Sequence, residues 1–220
     1  MTTYTTIPDT DIDPDSPVTE ALMTALRDNL LAAIEDDASA PGIFGALKSV
    51  QVFTSSGTWT KPTKCKRALV IITGAGGKGL DGISAGGTAS TGGGGAGATA
   101  IKLFTDLSAI ATATITIGAG SGGTSIWNDG TNTITAPGGQ TGTAANGNPA
   151  VVATGGDINL AGNQPTPAVY SSGAASFWGS GAAPEARDGV NPGSGGSGAR
   201  ATGSASGGDG ADGICWVLEF

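Results

Sequence analysis

The stretch Arg67-Ala-Leu-Val-Ile-Ile-Thr-Gly-Ala-Gly-Gly-Lys-Gly-Leu-Asp-Gly82 changes character at Thr73. Before Thr73 lies a short apolar run, Ala68 to Ile72, and after it the chain is rich in glycine. The run is too short for a buried helix and is rich in Val and Ile, so it predicts a β-strand. Because residues of both parities are apolar, we expect this central strand of a small sheet to be covered on both faces.

The glycines after this strand match a dinucleotide-binding fingerprint, Gly74-Ala-Gly76-Gly-Lys-Gly79. That motif requires a helix to begin there, because the helix N-terminus holds the pyrophosphate. The residues that follow are poor helix formers, since each glycine costs about 1 kcal/mol relative to alanine. Lys78 is also followed by Gly79 and not by the Ser or Thr of a Walker A loop. We interpret these glycines as structural and expect no nucleotide cofactor.

Glycine supplies 40 of the 220 residues, well above the usual share of about 7%. Only 13% of the residues are charged, and the mean hydropathy is slightly positive. Disordered chains combine low hydropathy with high net charge, so this composition favours a folded chain. Its core is expected to be small, and a small core indicates stabilisation by oligomerisation.

The net charge of −8 belongs to the N-terminal part of the chain. Residues 1–40 hold nine acidic residues and one basic residue, which leaves nine of each sign among the 18 acidic and 10 basic residues of the whole chain. No Lys or Arg lies between Lys102 and Arg187. Nucleic acids are bound through basic surfaces, so we expect no nucleic-acid partner.

The sequence lacks the usual residues of catalytic and metal sites. It contains no His, which excludes the common Ser-His and Cys-His triads, and its β part shows no recognisable pair of glycosidase carboxylates. The acidic residues from Asp9 to Glu20 have EF-hand-like spacing, but Pro14 stands where that loop needs glycine. Cys65 and Cys215 are interpreted as free thiols of a reducing compartment. We therefore expect no enzymatic activity, no metal and no cofactor.

The N-terminus is polar and acidic, and no apolar run reaches 18 residues. A signal peptide and a membrane-spanning helix are therefore not expected.

Composition divides the chain into four segments. Residues 1–15 are expected to form an extended acidic docking arm, and residues 16–37 an amphipathic helix with Ser16 as N-cap and Pro17 at its first position. Residues 38–49 are interpreted as a linker, and residues 50–220 as a glycine-rich β domain.

The helix carries an apolar stripe that is expected to meet partner helices or a socket, because an isolated helix of this length is marginal. The alternative is that the helix packs on its own C-terminal domain. Asn29, beside the stripe, is a candidate for setting the register of a trimer. The candidate docking or oligomerisation residues are Val18, Leu22, Leu26, Asn29 and Leu30.

Several short runs of alternating or apolar residues predict the strands of a mainly β domain, a small sandwich or sheet. The stretch Gln51–Pro62 is interpreted as a hairpin-like pair with Phe53 and Trp59 packed inward. The final strand places Ile214, Trp216, Leu218 and Phe220 on one face and is expected to pair back into the sheet. The other predicted strands cover residues 100–105, 111–117, 125–127 and 132–135.

The glycine tracts between the strands recur with a period of three. Gly76, Gly79 and Gly82 show this spacing, as does the later series that begins at Gly207. Three residues per turn is the period of the polyproline-II helix, and chains without Cβ atoms can pack side by side in this form. The pattern favours packed polyglycine-II helices, with flexible loops as the alternative.

The stretch from Gly118 to Gly193 is almost uncharged and rich in amide and hydroxyl side chains. Such side chains beside aromatic rings suit sugars or a protein loop, through hydrogen bonds and stacking. The alternative is that these aromatic residues form the small core of the loops. The candidate receptor-binding residues are Trp127, Tyr170, Phe177 and Trp178.

These motifs occur together in one known family. Phe53-x5-Trp59-x2-Pro62, the strand that ends in Thr73-Gly-Ala-Gly-Gly, and Gly95-Ala-Gly-Ala-Thr-Ala-Ile resemble the glycine-rich domain of bacteriophage and prophage tail-fibre proteins. The later Ile115-Thr-Ile-Gly-Ala-Gly and the closing Gly213-Ile-Cys-Trp-Val follow in the same order, and the segment that begins at Asp11 is similar to the N-terminal piece before such domains. The resemblance covers nearly the whole chain.

The resemblance implies a virion protein of the phage tail, assembled in the host cytoplasm and commonly trimeric. Its N-terminus is expected to dock on other tail or virion proteins. Its distal glycine-rich loops are expected to bind a host surface glycan or outer-membrane protein, as a receptor-binding adhesin. The alternative is a structural virion protein, such as a head fibre or decoration protein, without a dedicated receptor.

Overall fold

The computed structural model describes residues 3–11, 15, 17–34, 47–82, 91–143, 150–165, 171–199 and 205–220. The chain divides into two compact units, Met1–Leu47 together with Phe220, and Lys48–Glu219. Among the described residues, no helix is both long enough and apolar enough to cross a membrane.

The N-terminal unit contains a short 3-10 turn at Asp9–Asp11 and one α-helix, α1, at Glu20–Ile34. The backbone N–H of Leu22 donates a hydrogen bond to Thr19 Oγ1 at 3.1 Å, which makes Thr19 the N-cap. The prediction of Ser16 as the cap was therefore wrong, because the next hydroxyl residue along the chain takes that role. The predicted linker lies mostly outside the described residues.

The described part of the C-terminal unit contains nine β-strands. They are β1 (Ser49–Phe53), β2 (Gly57–Thr60), β3 (Ala68–Thr73), β4 (Thr99–Phe104), β5 (Thr112–Thr116), β6 (Ser125–Asn128), β7 (Thr133–Ala136), β8 (Ile158–Leu160) and β9 (Ile214–Glu219).

The strands form two antiparallel sheets, one of five strands in the order β1-β9-β3-β4-β8 and one of four in the order β2-β5-β6-β7. The prediction of a mainly β domain with one short N-terminal helix is confirmed. The expected pairing of the last strand back into the sheet is also confirmed, since β9 lies between β1 and β3.

Alternate side chains of the two sheets meet in one core, as sheet-on-sheet packing requires. Trp59 on β2 and Trp127 on β6 are fully buried, with ring centroids 5.2 Å apart. Phe104 on β4 packs against Trp127 at 5.7 Å from the opposite sheet. Val70 and Ile72 on β3 complete the centre of the core.

Two predictions about the strands were wrong. The strands from Gln51 to Pro62 do not pair as a hairpin, because β1 pairs with β9 in one sheet and β2 pairs with β5 in the other. The central strand β3 buries Ala68, Val70 and Ile72, whereas Leu69 and Ile71 on its other face are only half-buried in the described structure. Phe53 and Trp59 do point toward the core, as predicted.

The buried face of β9 is not its most apolar face. Cys215, Val217 and Glu219 point inward, whereas Trp216 and Leu218 point to the outer side of the sheet. Glu219 Oε1 accepts hydrogen bonds from Trp59 Nε1 at 2.6 Å and Gln51 Nε2 at 2.7 Å, and Ser49 Oγ donates to the other carboxylate oxygen. These donors satisfy a carboxylate that is fully buried between the sheets.

The glycine tracts form a hydrogen-bonded lattice beyond the ends of the sheets. In tract 74–82, residues three apart donate to the same neighbouring tract, and the two series of donors use two different neighbours. The backbone N–H groups of Gly74, Gly77 and Leu80 donate to the carbonyls of Ala98, Gly95 and Gly92; those of Gly76, Gly79 and Gly82 donate to the carbonyls of Ala211, Gly208 and Ala205.

A third neighbour uses the remaining residues of tract 74–82, because Gly139 and Gly142 donate to the carbonyls of Ala75 and Lys78. This three-residue rotation of hydrogen-bonding partners is the bonding pattern expected for packed polyglycine-II helices. The spacing is close enough that a Cβ on Gly76 or Gly79 would overlap the carbonyl of Ser194 or Ser197. The tracts in the described regions are therefore packed structure, and the alternative of flexible loops does not hold for them.

Candidate functional site

Three aromatic side chains form a cluster where the glycine lattice meets the outer face of the five-stranded sheet. They are Phe177, Trp178 and Trp216. The rings of Trp178 and Trp216 lie 5.1 Å apart at an angle of 32°, and Phe177 meets Trp178 edge to face at 5.1 Å. Trp178 Nε1 donates to Thr73 Oγ1 at 2.9 Å. Phe177 is 49% exposed, so the stack presents one ring to solvent on a fixed support.

A cleft of about 290 Å³ lies beside Phe177, between the start of β4, the end of β8 with the segment after it, and the turn that carries the ring. Its described lining is uncharged and combines an aromatic ring, aliphatic side chains, hydroxyls and one amide. The lining residues are Gly97, Thr99, Leu160, Ala161, Asn163, Ala175, Ser176 and Phe177.

Hydrogen bonds fix the polar side chains of this cleft. Asn163 Nδ2 donates to the carbonyl of Ala175 at 2.8 Å, which ties the two walls together. Ser176 Oγ accepts the backbone N–H of Trp178 at 3.1 Å. Thr99 Oγ1 lies 2.9 Å from Thr73 Oγ1, the same hydroxyl that accepts the Trp178 indole. The aromatic stack and the cleft wall are thus one connected arrangement.

The four predicted receptor-binding residues do not lie together. Trp127 is fully buried in the sandwich core, so its prediction as a contact residue was wrong; it occupies an inward position of β6 opposite Ile134. Tyr170 lies outside the described residues. Phe177 and Trp178 lie side by side, and Phe177 is the more exposed of the two.

The predicted docking residues of the N-terminal unit are largely exposed. Val18 precedes the helix and is 75% exposed, and Leu26 and Leu30 are exposed on α1, whereas Leu22 is half-buried.

Asn29 uses its side chain within the unit. Its Oδ1 accepts the N–H of Thr5 at 2.7 Å, and its Nδ2 donates to the carbonyl of Thr5 at 2.8 Å. This two-bond contact holds the N-terminal arm beside α1. The prediction that Asn29 sets the register of a trimer has no support from this geometry, because the amide is already engaged.

Sequence reasoning missed a wide apolar face on the outer side of the five-stranded sheet. In the strand register, two successive rows across the sheet contain only apolar side chains. One row holds Val50, Leu218, Leu69 and Leu103; the next holds Val52, Trp216, Ile71, Ile101 and Ile158. With strands about 4.8 Å apart, this face is about 20 Å across. The sequence did contain an indication of this face, because β3 and β9 carry apolar residues at both odd and even positions.

One ion pair of the glycine lattice, between Lys78 and Asp81, lies outside the cleft lining. Asp81 accepts from the Gly207 backbone N–H and the Ser206 hydroxyl and is paired with Lys78 at 2.9 Å. The bond with Lys78, followed by the bonds from Gly207 and Ser206, lowers the pKa of Asp81 to about 2. In the part of the chain that the structure describes, no three His, Cys, Asp or Glu residues are grouped so as to hold a metal ion.

In comparisons with known proteins, no model of a known protein family matches the sequence, and no curated protein matches it either.

Proposed function

We propose that this protein is a receptor-binding fibre protein of a bacteriophage tail, which adheres to the host cell surface through its glycine-rich unit. The observation that carries the proposal is Phe177, an exposed ring held against the half-buried rings of Trp178 and Trp216 beside a cleft whose described lining is uncharged. Exposed aromatic residues on rigid scaffolds are common anchors of binding sites. The lattice supplies that rigidity without long side chains.

Adhesion of this kind needs several copies to act together, because one shallow cleft binds weakly. Linked copies make the second binding event intramolecular and so raise the overall avidity. We propose a homotrimer that docks on other tail or virion proteins through its N-terminal unit, which places the protein on the tail after assembly in the host cytoplasm. The exposed stripe of α1 supports this part of the proposal.

The test is binding of the fluorescently labelled full chain to a panel of bacterial strains. We expect saturable binding to at least one strain and strong loss of binding for Phe177→Ala. Val190→Ala is the matched control, because Val190 is 82% exposed and lies outside the cleft lining. Saturable binding that is equal in all three proteins would show adhesion through another surface.

A structural virion protein without a receptor is the second candidate function. The outer apolar face of the five-stranded sheet favours it, since soluble monomers rarely expose apolar patches larger than a few hundred Å². Such an apolar surface is suited to permanent packing against another protein of the particle. If the folded chain binds none of the strains, this structural function becomes the better proposal.

A further inference from the structure

We propose that the cleft beside Phe177 is a binding site for a neutral saccharide. The inference rests on the proposed adhesive function and specifies the ligand of that same site. The cleft volume, about 290 Å³, lies at the lower end of the range for small-molecule sites and suits one or two sugar rings.

The aromatic ring supplies the apolar half of the site. A pyranose presents a face of C–H groups, and these are attracted to the negative face of an aromatic ring. Phe177 is half-exposed, and its edge-to-face contact with Trp178 holds the ring in place. Trp178 is in turn held by its hydrogen bond to Thr73 and by its contact with Trp216. The ring of Phe177 therefore loses little conformational entropy when a ligand binds.

The polar half of the site comes from Asn163 and Ser176. Asn163 uses one N–H for the Ala175 carbonyl, and its amide has a second N–H and the Oδ1 acceptor. Ser176 accepts a bond from Trp178 N–H, and its own O–H is a donor. Among the described residues, neither side chain has another hydrogen-bond partner. Together they offer donors and an acceptor, which is the combination that sugar hydroxyls require.

The described residues of the lining carry no charge, and this narrows the proposed ligand to a neutral sugar. None of the eight lining residues is ionisable, and the sequence has no Lys or Arg between Lys102 and Arg187. The carboxylate of an acidic sugar or the phosphate of a lipopolysaccharide core would lose hydration without gaining a charged partner. Such anionic groups are therefore excluded from the cleft itself.

The test uses saturation-transfer-difference NMR on the full chain with the methyl glycosides of glucose, galactose, mannose and N-acetylglucosamine, and with sialic acid as the charged probe. We expect saturable signals from the ring protons of at least one neutral glycoside and none from sialic acid. Phe177→Ala should weaken binding by about tenfold, which corresponds to about 1.4 kcal/mol and lies within the range of aromatic contacts. Val190→Ala should bind as the wild type does.

A second variant, Asn163→Asp, keeps the size of the side chain but replaces the amide donors with a charge. We expect it to lose glycoside binding while its fold, checked by circular dichroism, stays intact. Equal binding by all variants, or preferential binding of sialic acid, would overturn the proposed site. If no glycoside binds while cells still bind in a Phe177-dependent manner, the ligand is a protein surface; the saccharide inference then fails and the adhesive function stands. If neither binds, both fail.

Discussion

At the scale of single residues, Glu219 connects the two sheets of the sandwich. It lies on β9 of the five-stranded sheet and accepts bonds from Ser49 and Gln51 on β1 of that sheet. Its third donor, Trp59 Nε1, belongs to β2 of the other sheet. A buried carboxylate is costly unless its oxygens are hydrogen-bonded, so these three donors account for its inward position. The same bonds fix the rotamer of the central Trp59 ring.

We expect Glu219→Gln to destabilise the protein by about 1 to 3 kcal/mol. The amide replaces one acceptor oxygen with an N–H donor, which then faces a donor. Urea denaturation followed by tryptophan fluorescence measures the change in the free energy of unfolding. The same substitution at the exposed Glu185 is the control and should leave stability nearly unchanged. Equal stability of both variants would contradict the structural role of the carboxylate.

Cys65 and Cys215 form no disulfide, as the sequence predicted, and both thiols are buried. Burial raises the pKa of Cys215 from an ordinary value of 9.0 to about 12. The folded chain therefore keeps a proton that the unfolded chain loses, so stability from this group is fully present below about pH 9 and falls as the pH rises toward about 12.

We expect no reaction of Cys215 with a thiol reagent at pH 8 until the protein unfolds, because the thiolate is the reactive form. Mass spectrometry of the labelled peptides measures this. Cys215→Ala should lose part of the alkaline decline in stability relative to the wild type. Rapid labelling of the folded chain at Cys215 would show that the strand β9 opens readily.

At the scale of elements, the glycine lattice takes the place that side-chain packing has in other domains. Its tracts are held by backbone hydrogen bonds to three neighbours in turn, and the contacts are close enough to exclude a Cβ at many positions. Neighbouring glycines within one tract nevertheless differ. A Cβ on Gly94 would overlap the carbonyl oxygen of Gly77, whereas the nearest atom to a Cβ on Gly95 is the backbone N of Gln140 at 3.4 Å.

We therefore expect Gly94→Ala to destabilise the protein by about 1 to 3 kcal/mol or more. The overlapping atom belongs to packed backbone that cannot move alone. Gly95→Ala should be neutral or stabilising by up to about 1 kcal/mol, because alanine restricts the unfolded chain. Chemical denaturation of the two variants gives the comparison directly. Similar effects at both positions would show that the lattice is loosely packed.

The sequence predicted these elements well where residues of one kind recur at a regular spacing. The three-residue glycine spacing anticipated the lattice, and the alternation in residues 111–117 anticipated β5. The sequence did not predict which face of a strand is buried when the residues on both faces are apolar. In β9 the inward face is decided by the donors that meet Glu219, and these come from β1 and β2, which are far away in sequence.

The candidate site was only partly predictable for a related reason. Uncharged surroundings marked Trp127 and Phe177 alike, but cross-strand pairing buries Trp127, and a turn of the lattice exposes Phe177. Residue type could not separate these two cases. Asn163 and Ser176 were missed because nothing in their local sequence shows that they meet across a cleft.

At the scale of the whole molecule, the described residues include two apolar surfaces with exposed side chains. One is the outer face of the five-stranded sheet, and the other is the stripe of α1 with Leu26 and Leu30. A helix of 15 residues is marginal in water without packing partners. Association therefore stabilises the helix more than the sheet, because the strands of the sheet are already stabilised by the core.

We expect the full chain to sediment as an oligomer and the double variant Leu26→Lys, Leu30→Lys to sediment as a monomer, because two charges would have to be buried in the helix interface. Thr24→Lys is the matched control, since Thr24 lies on the opposite side of α1 and is exposed. Val52→Lys places the same charge on the outer sheet face and should leave the oligomer intact. Analytical ultracentrifugation of the four proteins decides between the surfaces: dissociation by Val52→Lys alone would move the interface from α1 to the sheet, and a monomeric wild type would rule out the proposed trimer.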